Sequence, residues 1–191
     1  VPWSGGKDSS SIAIRLRDDY GLNPLLVTFN PIIPTPVGVH NRKALLSYGF
    51  DSIYLDCDDR VSSALSLRFL RERANPKLHW NSGINASLYS LAVNLGIKFI
   101  FYAEHGETHY GGRILEKTSE QLRSYEEVIE NLVGDDPENW ANDRVSRRNL
   151  APYIMPDPDI RNPNNDFILA GAMMRVPTVL AYSASTQATE G

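Results

Sequence analysis

Apolar and polar positions alternate in two rhythms along residues 1–102, and each change of rhythm marks an element. Val1-Pro2-Trp3 reads as the last residues of a strand, and the chain as a fragment that begins late in it. Beyond Gly5-Gly6, Ile12, Leu16 and Tyr20 recur at i, i+4 and i+8, one face of a helix, and Gly21 stands where a left-handed C-cap belongs. Leu25-Leu26-Val27-Thr28-Phe29 is a short apolar run suited to a strand buried on both faces. Thr35-Pro36 supplies an N-cap with proline at the first helical position, for a helix running to about Tyr48 and stopped by Gly49. Ser52-Ile53-Tyr54-Leu55 is a third strand, residues 60–73 an amphipathic helix, Gly83 to Leu95 a helix closed by Gly96, and residues 97–102 a fourth strand.

Strand–helix alternation of this kind predicts α/β architecture: an open parallel sheet with right-handed crossovers and helices on both faces. Ligands of such sheets lie beyond the carboxyl ends of the strands, so residues 4–9, 30–36, 56–59 and 103–113 are where chemistry is expected. Farther on, Leu122, Tyr125, Ile129 and Leu132 form one stripe of a helix over 118–133. Residues 134–149 are polar, 152–165 carry four prolines and three asparagines as a loop or linker would, and the apolar stretch from Phe167 to Ala184, with Pro177 inside it, has no assigned element.

Composition narrows the classes. Of the 191 residues 42% are hydrophobic and 22% charged, ordinary for a globular protein. No apolar run approaches the roughly 20 residues of a membrane span, and no secretion signal is visible, so the expected location is the cytoplasm. A net charge of −4 without a lysine–arginine cluster argues against a duplex nucleic-acid partner. The single cysteine excludes an internal disulfide and a multi-cysteine zinc site. Cys57 lies in Leu55-Asp56-Cys57-Asp58-Asp59, where the flanking aspartates raise a thiol pKa and favour a structural cysteine over a nucleophile. The three aspartates attract Mg²⁺ or, as the plainer reading, form a solvated acidic turn.

Ser4-Gly5-Gly6-Lys7-Asp8-Ser9 is a phosphate cradle by construction if it joins a strand to a helix. Glycine lets the backbone approach an anion and take positive φ. The helix N-terminus offers N–H groups and partial positive charge. Ser4, Ser9 and Ser10 add hydroxyls, Lys7 a full charge, and Asp8 a ligand for Mg²⁺. The Walker pattern fails, because Gly6-Lys7 is followed by Asp8, and the dinucleotide pattern G-x-G-x-x-G fails as well. The second cluster is Glu104-His105-Gly106-Glu107-Thr108-His109-Tyr110-Gly111-Gly112-Arg113, either a polar loop that holds Mg²⁺ and substrate or a solvated surface loop. A third stretch, His79-Trp80 with the residues around them, lines a pocket or supplies a core aromatic and a capping neighbour.

The S-G-G-x-D-S turn resembles the signature of the PP-loop ATP pyrophosphatases, with their Rossmann-like fold of the adenine nucleotide alpha hydrolase type. Together with LLVTFNP (25–31), HNRKALLSYGFD (40–51), HWNSGINASLYSLAVNLGI (79–97) and YAEHGETHYGG (102–112), it resembles the N-acetyl sugar amidotransferase family of surface-polysaccharide and nonulosonic-acid biosynthesis. The resemblance implies a PP-loop domain over 1–150 with an incomplete first strand, followed by a linker and apolar tail over 151–191. It implies ATP and Mg²⁺ as cofactors, an N-acetyl sugar as substrate and a separate glutaminase subunit as ammonia source. ATP activates the acetamido oxygen, pyrophosphate leaves, and ammonia displaces AMP. Carried onto this chain, Lys7, Asp8 and Glu104 would be catalytic, with Asp8 and Glu104 on the metal. Ser4, Gly5, Gly6, Lys7, Asp8, Ser9, Ser10, Thr28, Phe29 and Asn30 would hold the nucleotide. His79, Trp80, His105, Glu107, His109 and Arg113 would face the substrate. A sheet wound both ways from its first strand would set the fourth beside it, and Glu104 across from the Ser4–Ser9 turn. The family's cysteine-rich N-terminal segment has no counterpart here, and the chain after about residue 156 does not resemble the family's longer C-terminal part. The alternatives are a tRNA-modifying PP-loop enzyme and a non-catalytic adenine-nucleotide module.

Overall fold

The computed structural model describes residues 1–31, 33–97, 99–103, 135–156 and, as backbone, 168–169. It is a mixed α/β chain in which short parallel strands are covered by helices. Strand β1 (Leu26–Phe29) pairs in parallel with β2 (Ser52–Leu55), in the register Leu26 to Ser52 through Phe29 to Leu55. On its other side β1 takes up residues 1–3. Val27 N–H donates to the Val1 carbonyl at 2.9 Å, Trp3 N–H donates to the Val27 carbonyl at 2.8 Å, and Pro2 bridges Val27 in parallel. The order is thus 1–3, β1, β2, with all three carboxyl ends at one edge.

Helices α1 (Lys7–Asp18), α2 (Pro36–Ser47), α3 (Asp59–Arg73) and α4 (Leu78–Leu95) alternate with these strands, and β3 (Phe99–Ile100) follows α4. Their boundaries have local causes. The Thr35 side chain accepts from Gly38 N–H and Pro36 opens α2. Asp58 caps α3 through Arg60 N–H. Gly96, at φ +64°, closes α4 in the left-handed region that glycine enters without a Cβ penalty.

The core has two compartments, one on each face of β1. Leu26 joins Trp3, Ala13, Leu45 and Phe50 under α1 and α2. Val27 and Phe29 join Val61, Leu65 and Phe69 of α3, Leu78, Ala86, Leu88, Tyr89 and Ala92 of α4, and Trp140, Val145, Leu150, Tyr153 and Met155. Successive strand residues point to opposite faces, so a strand buried on both sides reads as a continuous apolar run. Among the described residues no helix is long and apolar enough to cross a membrane.

Four expectations need correction. Helix α4 begins at Leu78, five residues before Gly83, so His79 and Trp80 lie within it. Tyr20 lies past the end of α1 and is 54% exposed, because the helix stops at Asp18 and the i+8 position falls outside it. The fourth strand is two residues long, Phe99–Ile100, against the six expected. Its hydrogen-bonded partner is β4 (Ile168–Leu169); among the described residues no ladder joins it to residues 1–3. The helix expected over 118–133 lies outside the described residues. The 3₁₀ helix Arg147–Tyr153 spans the expected boundary between residues 150 and 151, with Leu150 and Tyr153 in it and Met155 after it buried.

Candidate functional site

The Ser4–Ser9 stretch is a turn from the end of the first strand segment into α1. Gly5 sits at φ +83°, which a side chain would strain. Gly6 is the N-cap of α1 in extended conformation, φ −81° and ψ 162°, and no side chain caps the helix. The donors of the first turn, which have no partners inside a helix, are left to other acceptors. Ser4, Lys7 and Asp8 are exposed. The other two serines turn inward: Ser10 Oγ donates to the Gly6 carbonyl at 2.8 Å and accepts from Trp3 Nε1 at 2.9 Å, and Ser9 Oγ donates to the same carbonyl at 3.4 Å. These hydroxyls brace the turn from below.

The end of β1 lies on the same edge. Thr28 Oγ1 donates to the Trp3 carbonyl at 2.7 Å and ties the first segment to β1. The Phe29 ring packs edge-on to Tyr153 and covers Gly83 of α4, where a Cβ would fall 2.2 Å from the ring tip. The Phe29 carbonyl accepts from Trp80 Nε1 at 3.3 Å. The side chains of Thr28 and Phe29 are thus committed to packing, while Asn30 is half-buried at the rim. Asn30 N–H donates to the Leu55 carbonyl at 2.8 Å, and its side chain joins the Tyr54 hydroxyl to Asp56. The Arg42 guanidinium lies 3.7 Å from the Tyr54 ring centroid. Asn41 Nδ2 donates to the Gly5 carbonyl at 3.1 Å. Asn41, Arg42 and Tyr54 complete a polar rim from the Gly5 turn to Asp56 that the sequence reading missed. The residues expected at this edge are 30–36 and 56–59, whereas these side chains reach it from the second turn of α2 and from inside β2. The available signal was the polar pair Asn41-Arg42 within the first two turns of a helix starting at that edge.

His79 does not reach this rim, whereas Trp80, half-buried, meets the end of β1 through its bond to the Phe29 carbonyl. His79 is 1% exposed, its ring 5.9 Å from that of Tyr153, and its Nδ1 has no hydrogen-bond partner. Burial pushes its pKa down to about 4, opposed by the Pro76 carbonyl, so the imidazole is neutral. Burial likewise pushes the Tyr153 phenol up, against the Ser62 hydroxyl 3.2 Å away. Cys57 is half-buried; burial raises its pKa, the Tyr153 hydroxyl lowers it, and the Asp56 charge raises it further. A thiol held protonated in this way fits the structural reading of Cys57. Of the neighbouring aspartates, Asp58 is an N-cap and Asp56 accepts from Asn30, so each has a structural task.

Glu104, His105, Glu107, His109 and Arg113 lie outside the described residues. Among the described residues no group of three His, Cys, Asp or Glu side chains could hold a metal ion; of the pair Asp8 and Glu104, Asp8 is placed. No family model and no curated protein matches the chain.

Proposed function

We propose that the chain is an ATP pyrophosphatase of the PP-loop type that works as an N-acetyl sugar amidotransferase in the cytoplasm, its strands belonging to a Rossmann-like open sheet. The observation that carries this reading is the turn itself. A glycine at φ +83° and an uncapped helix N-terminus stand at the carboxyl end of a strand segment, with Lys7 and Asp8 exposed in the first turn. The residues present fit a polyphosphate. A Cβ at Gly6 would meet only Ser4 Oγ, at 3.3 Å, so the space beside Gly6 is open but for one movable hydroxyl. The N–H groups of the first turn bind anionic oxygen without needing a side chain, and the helix dipole favours them for it.

ATP would supply an activated acetamido oxygen by releasing pyrophosphate, and ammonia from a glutaminase subunit would then displace AMP. In this chain Lys7 would neutralise phosphate charge. Asp8, with Glu104, would hold Mg²⁺. Ser9 and Ser10 would keep the Gly6 carbonyl turned away from the anion by donating to it. Asn30 and the Tyr54 hydroxyl bonded to it would border the nucleoside. Incubation with ATP, Mg²⁺, ammonia and a panel of N-acetyl sugars is expected to yield AMP and pyrophosphate in equal amounts with one sugar. Stoichiometric ADP and phosphate would overturn the reading. Ammonia released from glutamine by the isolated chain would remove the need for a partner subunit.

A further inference from the structure

We propose that Asn41 is a positioning residue that holds the Gly5–Gly6 peptide in its anion-accepting orientation; this rests on the phosphate-cradle reading above. The Gly5 carbonyl can only accept, and it accepts from Asn41 Nδ2 at 3.1 Å. In a trans peptide the carbonyl and the following N–H point to opposite sides, and the chain contains no cis peptide among the described residues. With the Gly5 oxygen turned toward α2, the Gly6 N–H therefore points away from α2.

This orientation needs a selector. Rotating one peptide plane changes ψ of the residue before it and φ of the residue after it, and normally places one Cβ in a forbidden region. Here glycine stands on both sides, so sterics exclude neither orientation. The reversed plane would present a carbonyl oxygen to an incoming phosphate and repel it. The serine hydroxyls do not distinguish the two states: Ser9 and Ser10 both bond the next carbonyl, that of Gly6. Asn41 is well placed to decide. A Cβ on Gly5 would lie 3.5 Å from the Gly38 carbonyl oxygen and 3.8 Å from Asn41 Cβ, so the first turns of α2 press directly on the turn. The Thr35 cap and Pro36 fix where that helix begins.

The test measures binding of inorganic pyrophosphate, ATP and adenosine to the wild-type chain, Asn41→Asp and Asn41→Ala, alongside Tm and the amide resonance of Gly6. Asn41→Asp keeps the shape and removes the donor; Asn41→Ala removes both without a helix penalty. The expected result is pyrophosphate and ATP binding weakened about tenfold or more in both variants, with adenosine binding and Tm unchanged. The wild-type Gly6 amide should shift as pyrophosphate is added. Folded variants that bind pyrophosphate as the wild type does would overturn the role of Asn41 and leave the ATP reading standing. Wild-type pyrophosphate binding lost in the variants, with no ATP affinity, would support Asn41 and overturn the ATP reading. A wild-type chain that binds neither overturns both. If neither variant folds, the Gly6 amide decides, and its failure to shift in a wild-type chain that binds pyrophosphate overturns the proposal.

Discussion

The two sides of β1 hold the molecule together by different means. Under α1 and α2 the compartment is small, and the nearby carboxyl edge is a chain of hydrogen bonds: Thr28 to Trp3, Trp3 to Ser10, Ser10 to Gly6, Asn41 to Gly5. Under α3 and α4 the compartment is large and aromatic: Phe69 packs edge-on to Trp140, Trp140 lies tilted against Tyr153, and Tyr153 lies beside a neutral histidine. Hydrogen bonds gain modestly on balance but fix orientation, whereas apolar burial supplies most of the stabilisation and little direction. One side is suited to positioning a backbone for a ligand, and the other to keeping the fold intact. This contrast can be broken from either end.

The largest effect belongs to the aromatic side. Trp140 is fully buried, its ring 4.8 Å from that of Phe69, its Nε1 donating to Asp135 at 3.0 Å and its carbonyl accepting from Arg68 at 3.2 Å. Trp140→Ala removes that ring, leaves a cavity and strips the Asp135 carboxylate of a donor. A loss of about 3–5 kcal/mol is expected in urea unfolding, a large part of the stability of a domain of this kind. A loss below about 1 kcal/mol would show that residues 135–156 are an appendage and not part of the core.

Second in size is a pH effect on the same side. His79 in the fold keeps a pKa near 4 against an ordinary 6.5, so the unfolded chain takes up a proton that the folded chain refuses. The stability this represents is complete above pH 6.5 and is lost as pH falls toward 4, by about 3 kcal/mol in all. His79→Leu should flatten this part of the profile, and the difference between the two chains isolates His79 from the carboxylates that titrate lower. Parallel profiles for the two chains would mean that the imidazole is not buried neutral.

The same contrast explains what could be read from the sequence. The first three strand segments and most helix ends were legible because their causes are local: an apolar run at 26–29, a Thr-Pro cap at 35–36, glycines at 49 and 96. So was the turn from the first strand segment into α1, six consecutive residues. The start of α4 was hidden because Ser82-Gly83 looks like a helix opening. Its polar residue is satisfied by the Tyr153 carbonyl, at 2.7 Å and 71 positions away, and its glycine is needed to seat Phe29, 54 positions earlier. Trp140, Leu150 and Tyr153 lay in a stretch with neither helical nor strand period, since short 3₁₀ turns impose none, and the stretch looked merely polar. Asn41 shows only its polarity in the sequence, and its partner is 36 residues away. Contacts between distant residues leave no local pattern.

The smallest effect on stability, and the sharpest on function, is expected at Lys7. Its side chain is exposed at the first position of α1, and no hydrogen bond or ion pair ties it to another described residue. Positive charge at a helix N-terminus opposes the dipole, so the fold gains nothing from it. Lys7→Ala should therefore change stability by no more than about 0.5 kcal/mol, or raise it slightly through the better helix propensity of alanine. A charged contact to phosphate contributes about 2 kcal/mol, so ATP affinity should fall roughly thirtyfold, with adenosine binding unaltered. Urea unfolding and calorimetric titration on the same sample separate the two quantities. If ATP affinity is unchanged, the turn is not a phosphate cradle and the pyrophosphatase reading falls with it. A stability loss above 1 kcal/mol would instead show that the carboxyl edge depends on its exposed side chains for folding, and the division of labour across β1 would not hold.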